Sequence, residues 1–145
     1  MKVSQKADYA LRALYLLALR HPAGDYVRTA EIARQEKIPV KFLEAILVEL
    51  RRAGLVLSQR GAEGGHRLAR PASEITVGEI WRVVDGPVSP VADLAGRKPK
   101  GQAGGAFRFV WDDVARVVSE VVDGVTIEGV VKRAEARQNV LDFSI

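Results

Sequence analysis

The stretch VKFLEAILVELRRAGLVLSQRGAEGGHRLARP, residues 40–71, decides the fold. Its first part predicts a helix from about Val40 to Ala53, because apolar residues recur there every three or four positions. Gly54 suits the left-handed conformation that often follows the last turn of a helix. The stripe expected to face the core consists of Leu43, Ile46, Leu47 and Leu50.

A β-hairpin is predicted directly after this helix. Residues 55–58 and 66–69 have strand character, and the glycine-rich loop 61–65 joins them. Residues 51–71 hold five arginines against one acid, Glu63, so this segment carries the whole net charge of +4. Local positive charge of that kind predicts contact with a polyanion. The arginines are Arg51, Arg52, Arg60, Arg67 and Arg70.

A glycine-rich loop with arginines can also cradle the phosphates of a mononucleotide. That alternative needs a strand before the glycines, a helix directly after them and a Gly-Lys-Ser/Thr sequence. Here a strand-like stretch follows the glycines, and the sequence has no Gly-Lys-Ser/Thr. The pattern therefore favours a loop that lies against the backbone of a nucleic acid.

Two further helices are predicted before residue 40. Ser4 is expected to cap the first, which residues 21–24 end, and Thr29 is expected to cap a short second helix. A brief turn at residues 37–39 leads into the helix described above. The order helix, helix, turn, helix, hairpin predicts a winged helix-turn-helix. In that geometry the start of the third helix enters the major groove of DNA and the hairpin, or wing, lies along the neighbouring backbone or minor groove.

Another helix start follows the hairpin. Thr76 and Glu79 have the spacing of a capping box, and Ile75 with Ile80 has that of a hydrophobic staple. The helix is expected to end at residues 85–87, where Gly and Pro stand together.

The chain is expected to divide into a DNA-binding domain over residues 1–85, a flexible loop over 86–106, a long helix with a short last helix over 107–136, and a tail over 137–145. The loop holds five glycines and three prolines without a periodic pattern. Thr126 is expected to cap the last helix. The apolar stripe of the long helix consists of Phe107, Val110, Trp111, Val114, Val117, Val118 and Val121.

Composition excludes several functional classes. The chain has no cysteine, which excludes disulfides, thiolate zinc sites, cysteine nucleophiles and cysteine-held iron–sulfur clusters. Its two histidines, His21 and His66, are far apart in the sequence, so no metal site is expected. No nucleophile–base pair or cofactor motif points to an enzyme. No signal peptide or membrane-spanning run is expected, and the protein is predicted to be soluble and cytoplasmic.

Three segments resemble the Rrf2 family of bacterial transcription regulators: YALRALYLLA, IARQEKIPVKFLEAILVELRRAGLVLSQRGAEGGHRLARP and ITVGEIWRVVDG. The resemblance is close over residues 1–86 and weaker over 107–131. It implies a homodimeric winged helix-turn-helix protein in which the long helix crosses its partner from the other subunit. The alternative is that the stripe of the long helix packs onto its own core. A two-fold dimer implies a pseudo-palindromic operator.

The resemblance fails at the cofactor. Family members that hold an iron–sulfur cluster do so with three cysteines in the loop and the start of the next helix. Here that region has none, so the chain resembles the cysteine-free members and no cofactor is expected. Asp8, where some relatives place a carboxylate ligand, is expected to be solvated or paired. Regulation is then left to a small-molecule effector, to a protein partner, or to neither.

Eleven residues are expected at the DNA interface. Lys41 could contact guanine or a phosphate, and Glu44 could accept a hydrogen bond from a cytosine amino group. Arg60 could reach a phosphate or enter a narrow minor groove. The resemblance implies the same interface for these three residues and for Phe42. The full set is Thr29, Val40, Lys41, Phe42, Glu44, Arg51, Arg60, Gly61, Gly64, Gly65 and His66.

Several of these residues have simpler alternatives. Phe42 could pack in the core, and Glu44 could be a solvated helix charge. Thr29 could present a helix N-terminus to a phosphate or simply cap its helix. His66 stands where the family usually has an aromatic residue. It could donate to a phosphate, better when protonated, or be an exposed hairpin residue.

The sequence thus predicts a mainly α protein with a small β-hairpin that binds double-stranded DNA. Its expected role is that of a sequence-specific transcriptional regulator, a repressor acting as a homodimer. The alternative is a protein-interaction module whose DNA binding is controlled by a docked partner. Tyr9, Trp81 and Trp111 are natural lining residues for an apolar or aromatic effector between the first helix and the long helix.

Overall fold

The computed structural model describes residues 2–89 and 98–143. Within these ranges the chain is mainly helical, with one antiparallel hairpin. The elements are α1 (Gln5–Arg20), a 3₁₀ turn (His21–Ala23), α2 (Thr29–Glu36), α3 (Val40–Arg52), β1 (Val56–Gln59), β2 (Gly65–Leu68), a second 3₁₀ turn (Ala72–Glu74), α4 (Val77–Asp85), α5 (Gly101–Asp123) and α6 (Ile127–Phe143).

The core lies around α1, which contacts α3, α4 and α6. The α1 residues Ala10, Ala13 and Leu14 are fully buried. The expected stripe of α3 is buried as well, which confirms the helical period read from the sequence. Because α3 buries this one face, its opposite face and its first turn stay on the surface.

A tight turn joins α2 to α3. Lys37 takes the left-handed conformation, with φ of 53°, and ends α2. Ile38 is buried, and its N–H donates to Ala33 O over 3.0 Å. Pro39 is the N-cap of α3, which begins at Val40. The predicted helix-turn-helix is therefore present.

Polar contacts fasten α2 to α1. The Arg12 guanidinium donates to Glu36 O at the end of α2 over 2.7 Å. Near the other end of α2, Arg20 and Glu31 form an ion pair at 2.8 Å. The position of α2 relative to the core is thus fixed at both of its ends.

The wing (residues 56–68) forms as predicted, shifted by one residue at each strand. Its register runs from Val56 opposite Leu68 to Gln59 opposite Gly65. One further residue joins it: Val27 makes an antiparallel bridge with His66. The sequence analysis did not foresee this contact.

The predicted caps have mixed outcomes. The Ser4 hydroxyl accepts from Ala7 N over 3.0 Å, and the Thr76 hydroxyl accepts from Glu79 N over 3.1 Å, as expected. The other half of the capping box is wrong, because the Glu79 carboxylate pairs with Arg70 instead.

The expected cap at Thr29 is also wrong. Thr29 is the first residue of α2, and its N-cap, Arg28, makes no side-chain capping bond. The Thr29 hydroxyl is engaged elsewhere, with the His66 ring at 2.8 Å.

The loop before α5 and the tail after α6 are shorter in the structure than the sequence predicted. Helix α5 begins at Gly101, so the loop prediction is wrong for residues 101–106, while residues 90–97 lie outside the described ranges. Gln102, Ala103 and Ala106 favour helix, and extending a formed helix costs little compared with starting one.

The last helix is likewise longer than expected. Helix α6 begins after Thr126, whose hydroxyl accepts from Gly129 N over 3.0 Å as a cap should. It continues to Phe143 instead of ending near residue 136. A hydrogen bond from Gln138 to Asp142, over 3.2 Å, supports its last turns. The tail prediction is therefore wrong up to Phe143, and residues 144–145 lie outside the described ranges.

Main-chain pairing fixes the start of α6 beside α4. The Ile127 N–H donates to Ile75 O, and the Val77 N–H donates to Val125 O, each over 2.9 Å. Nearby, Arg82 on α4 forms two hydrogen bonds to the Asp123 carboxylate, at 2.6 and 2.9 Å. The end of α5 is thereby attached to α4. None of the helices within the described ranges is long and apolar enough to cross a membrane.

Candidate nucleic-acid interface

The start of α3 lies exposed on the surface of the helix-turn-helix. The Lys41 side chain is 94 % exposed and Phe42 is 61 % exposed, while Val40 is also on the surface. Core packing of Phe42, the alternative to a DNA contact, is therefore wrong. Lys41 and Glu44 form a loose ion pair at 3.7 Å. Pairs of this kind between exposed groups contribute little, so both side chains are free to turn towards a ligand.

A groove of about 320 Å³ separates α3 from the wing. We call it the α3–wing groove. It brings together five of the residues predicted to bind DNA, although they come from α2, α3, β2 and the loop between the two strands. The residues that line it are Thr29, Glu44, Leu47, Val48, Arg51, Ser58, Gln59, Arg60 and His66.

The remaining predicted residues lie outside this groove. Val40, Lys41 and Phe42 are on the first turn of α3, and Gly61 is exposed at the wing tip. Gly64 is buried within the wing, and Gly65 is half-buried at the start of β2.

Gly64 and Gly65 serve close packing of the backbone. A Cβ at Gly64 would lie 2.2 Å from Gln59 O, within the wing itself. Gly65 has φ of 141°, and a Cβ there would lie 2.5 Å from Val27 O. Neither position tolerates a side chain without moving the main chain. The two glycines therefore shape the wing, and their predicted contact with DNA stays a prediction.

His66 is clamped between two hydroxyl groups. Its Nδ1 lies 2.8 Å from Ser58 Oγ, and its Nε2 lies 2.8 Å from Thr29 Oγ1. The residue is half-buried, so the alternative of an exposed hairpin residue is wrong. Burial of the ring, and to a lesser extent the positive charge of Arg51, lowers the pKa of His66 below its ordinary value. The imidazole is thus neutral at neutral pH and both its nitrogens are occupied, which does not favour the expected donation to a phosphate.

Sequence reasoning missed Val27, Arg28 and Ser58. Arg28 donates from its guanidinium to Ala62 O at the wing tip. A lone β-branched residue between Tyr26 and Arg28 was the only signal of a strand-like segment, and one residue is too short for the two-residue period to show. Contacts between residues 34 positions apart leave no local pattern in the sequence.

The stripe of α5 is exposed in this chain. No residue of α5 is buried; Phe107 is 60 % and Val121 is 61 % exposed, while Val114 and Val118 are half-buried. The alternative that the stripe packs onto its own core is therefore wrong for the described residues. Ion pairs from Arg116 to neighbouring acids occupy the opposite, polar face of the helix.

The three predicted effector residues are spread over different environments. Tyr9 is buried in α1, and its hydroxyl accepts from the Gln5 amide over 2.8 Å. Trp81 packs against the core from α4, and Trp111 is exposed on α5. None of them lines the α3–wing groove. The effector site stays a prediction.

Comparison with known proteins shows which protein family the chain belongs to. The family model of Rrf2, described as an iron-dependent transcriptional regulator, matches residues 3–133. The chain belongs to the Rrf2 family. Its relative CymR of Bacillus subtilis, an HTH-type transcriptional regulator, is 36 % identical over 145 residues that cover 100 % of both chains. Rrf2 regulators bind DNA, so this chain is a DNA-binding transcriptional regulator and not an enzyme.

Solved structures of the family have the same fold. The structure of CymR, the global cysteine regulator of B. subtilis, matches with a TM-score of 0.76 and 35 % identity, over 92 % of this chain and 98 % of CymR. The structure of T. potens IscR matches with a TM-score of 0.77 and 34 % identity, over 95 % of this chain and 91 % of that one. The fold is thus the winged helix of the Rrf2 regulators.

The iron named in the family description does not fit the donor groups of this chain. Iron–sulfur clusters in proteins are held mainly by cysteine thiolates, and the sequence has no cysteine. Nor do the described ranges contain a cluster of three or more His, Asp or Glu residues that could hold a metal ion. Asp8, the candidate carboxylate ligand, pairs with Arg12 at 3.1 Å. A thiolate-held cluster is excluded for this Rrf2 chain.

The state of His66 is measurable. We expect the pKa of the His66 imidazole to lie below 6.5 in the folded protein, because burial and the charge of Arg51 disfavour the cation. The acidic residue that lines the same groove is Glu44. The unfolded chain takes up this proton near 6.5. The contribution of neutral His66 to the free energy of unfolding is therefore fully present above pH 6.5, and it is lost as the pH falls towards the pKa of the folded state. Titration of the His66 ring protons by NMR checks this. A pKa at or above 6.5 would contradict the burial of the ring beside Arg51.

Proposed function

We propose that this Rrf2 chain is a homodimeric repressor that binds a pseudo-palindromic operator. The start of α3 enters the major groove, and the wing lies on the flanking backbone. A dimer bound at a promoter denies that DNA to RNA polymerase, so occupancy alone is sufficient for repression.

One observation carries the proposal: Glu44 and Arg51 of α3 and Arg60 of the wing face the same groove, next to the exposed first turn of α3. Arg51 and Arg60 line the α3–wing groove beside Glu44, and Lys41 extends from the adjacent turn. These cations can contact the phosphates along a DNA groove, where phosphate contacts position the protein and base edges give specificity. Phe42 offers an apolar surface next to Lys41 that suits a thymine methyl group.

The second subunit is proposed from α5. This helix is 23 residues long, roughly 34 Å, and its apolar stripe is exposed along most of that length. Monomeric soluble proteins rarely expose so large an apolar patch. A second copy of the same helix, crossing it about a two-fold axis, would cover the stripe, and the resemblance to the family implies the same arrangement. Two copies of α3 then face two half-sites.

Removal of the Arg60 guanidinium tests the DNA contact. The wild-type protein is first used to select binding fragments from genomic DNA. Against a selected fragment, Arg60→Ala should weaken binding and reduce the slope of log Kd against log salt by about one per protomer, because each lost phosphate contact releases about one counterion fewer. Arg137→Ala on α6, which removes an equal charge far from the wing, is the control. Equal slopes for wild type and Arg60→Ala would remove Arg60 from the interface.

A charge in the stripe tests the dimer. Val117→Glu should convert the protein to a monomer in sedimentation velocity, because a carboxylate cannot be buried between two apolar helices at low cost. Operator affinity should fall with it, since two half-sites are no longer held together. Asp112→Ala, on the polar face of α5, should leave the dimer unchanged. A Val117→Glu protein that stays dimeric would place the subunit contact elsewhere.

A further inference from the structure

The wing is attached to residues 26–29, the three residues before α2 and the first residue of α2, which we call the pre-helix segment. Val27 N donates to His66 O and His66 N donates to Val27 O, each over 2.8 Å. This reciprocal pair adds one residue of a third strand to the open edge of β2. The wing is therefore not a free two-stranded hairpin, which would be marginally stable alone.

The side chains of the pre-helix segment add two more attachments. Arg28, although exposed, donates from Nη2 to Ala62 O at the wing tip. Thr29 holds the His66 ring at 2.8 Å, and the same ring holds Ser58 of β1. The attachments thus reach the tip of the wing and both of its strands.

Glycine at position 65 permits this approach. Its Cβ would stand 2.5 Å from Val27 O and 2.6 Å from Val27 C, both of which are backbone atoms that cannot turn away. The close contact of the wing and the pre-helix segment is therefore part of the fold.

The pre-helix segment also connects the wing to α3, through α2. It runs directly into α2, which packs against α3. The orientation of the wing relative to α3 is thus set through α2 as well as through the short connection between α3 and β1. Ordering a loop during binding costs affinity, and a wing already fixed avoids that cost.

From these contacts we infer that Arg28 and His66 are positioning residues, which hold the wing in its DNA-binding orientation before DNA arrives. The Arg28 guanidinium donates its hydrogen bond to a carbonyl oxygen of the wing tip and not to a phosphate. His66 joins three elements through its two ring nitrogens. The inference rests on the proposed DNA-binding function for its consequence, but the preset wing is a property of the free protein.

The test separates wing order from DNA contact. Amide exchange of Val27 and His66, measured by NMR without DNA, reports the reciprocal pair directly, and the amide of Leu47 in α3 reports the core. Arg28→Ala and Thr29→Val should each raise the exchange rates of Val27 and His66 several-fold and leave that of Leu47 unchanged. The second variant keeps the shape of Thr29 and all charges, so it remains informative if the first does not fold.

Binding to a selected genomic fragment gives the second readout. Arg28→Ala should weaken binding by about threefold to thirtyfold, the cost of ordering a few groups on binding, without changing the salt slope. Arg60→Ala should do the reverse, with a reduced slope and unchanged exchange at Val27 and His66. Thr29→Val should weaken binding with an unchanged slope as well.

Two results would overturn the inference. Unchanged exchange at Val27 and His66 in both variants would mean that these side chains do not hold the wing. A reduced salt slope for Arg28→Ala with normal exchange would make Arg28 a phosphate contact. If the wild-type protein bound no DNA at all, the proposed function would fail, while the exchange measurements would still decide whether the wing is preset.

Discussion

Burial of one face of α3 against α1 is the constraint on which the interface depends. Leu43 and Leu50 are completely buried, and an ion pair between Lys6 and Glu49, at 2.8 Å, joins the two helices at the surface. With 3.6 residues per turn, fixing these positions inward turns Lys41 and Glu44 outward. The surface that α3 presents to solvent is therefore a consequence of the core.

The wing depends on a different kind of contact, between backbones. The close approach of Gly65 to Val27 lets the wing pair with one residue of a third strand. The His66 ring, which is neutral because it is half-buried, joins Ser58 to Thr29. Apolar burial thus sets the orientation of α3, and main-chain pairing sets the position of the wing beside it. The α3–wing groove lies where these two arrangements meet.

Local signals in the sequence predicted most of the fold, and contacts between distant residues account for what they missed. The cap at Thr76 was predictable because its partner lies three residues away. Thr29 carried the same signal, but its hydroxyl turned to His66, which lies 37 residues further on. The glycines of the helix start at residues 101–106 argued against a helix that nonetheless forms. For the site, the residue types on α3 and the wing were predictable, while the attachments of the wing were not.

Hydroxyl-radical footprinting on a selected genomic fragment tests the central claim most directly. The account predicts two protected patches related by a two-fold axis, on one face of the duplex, with their centres about 34–36 Å or a multiple of that distance apart. Weaker protection by the two wings should flank them. A single patch without symmetry, or protection that does not repeat with the helical turn, would contradict the account.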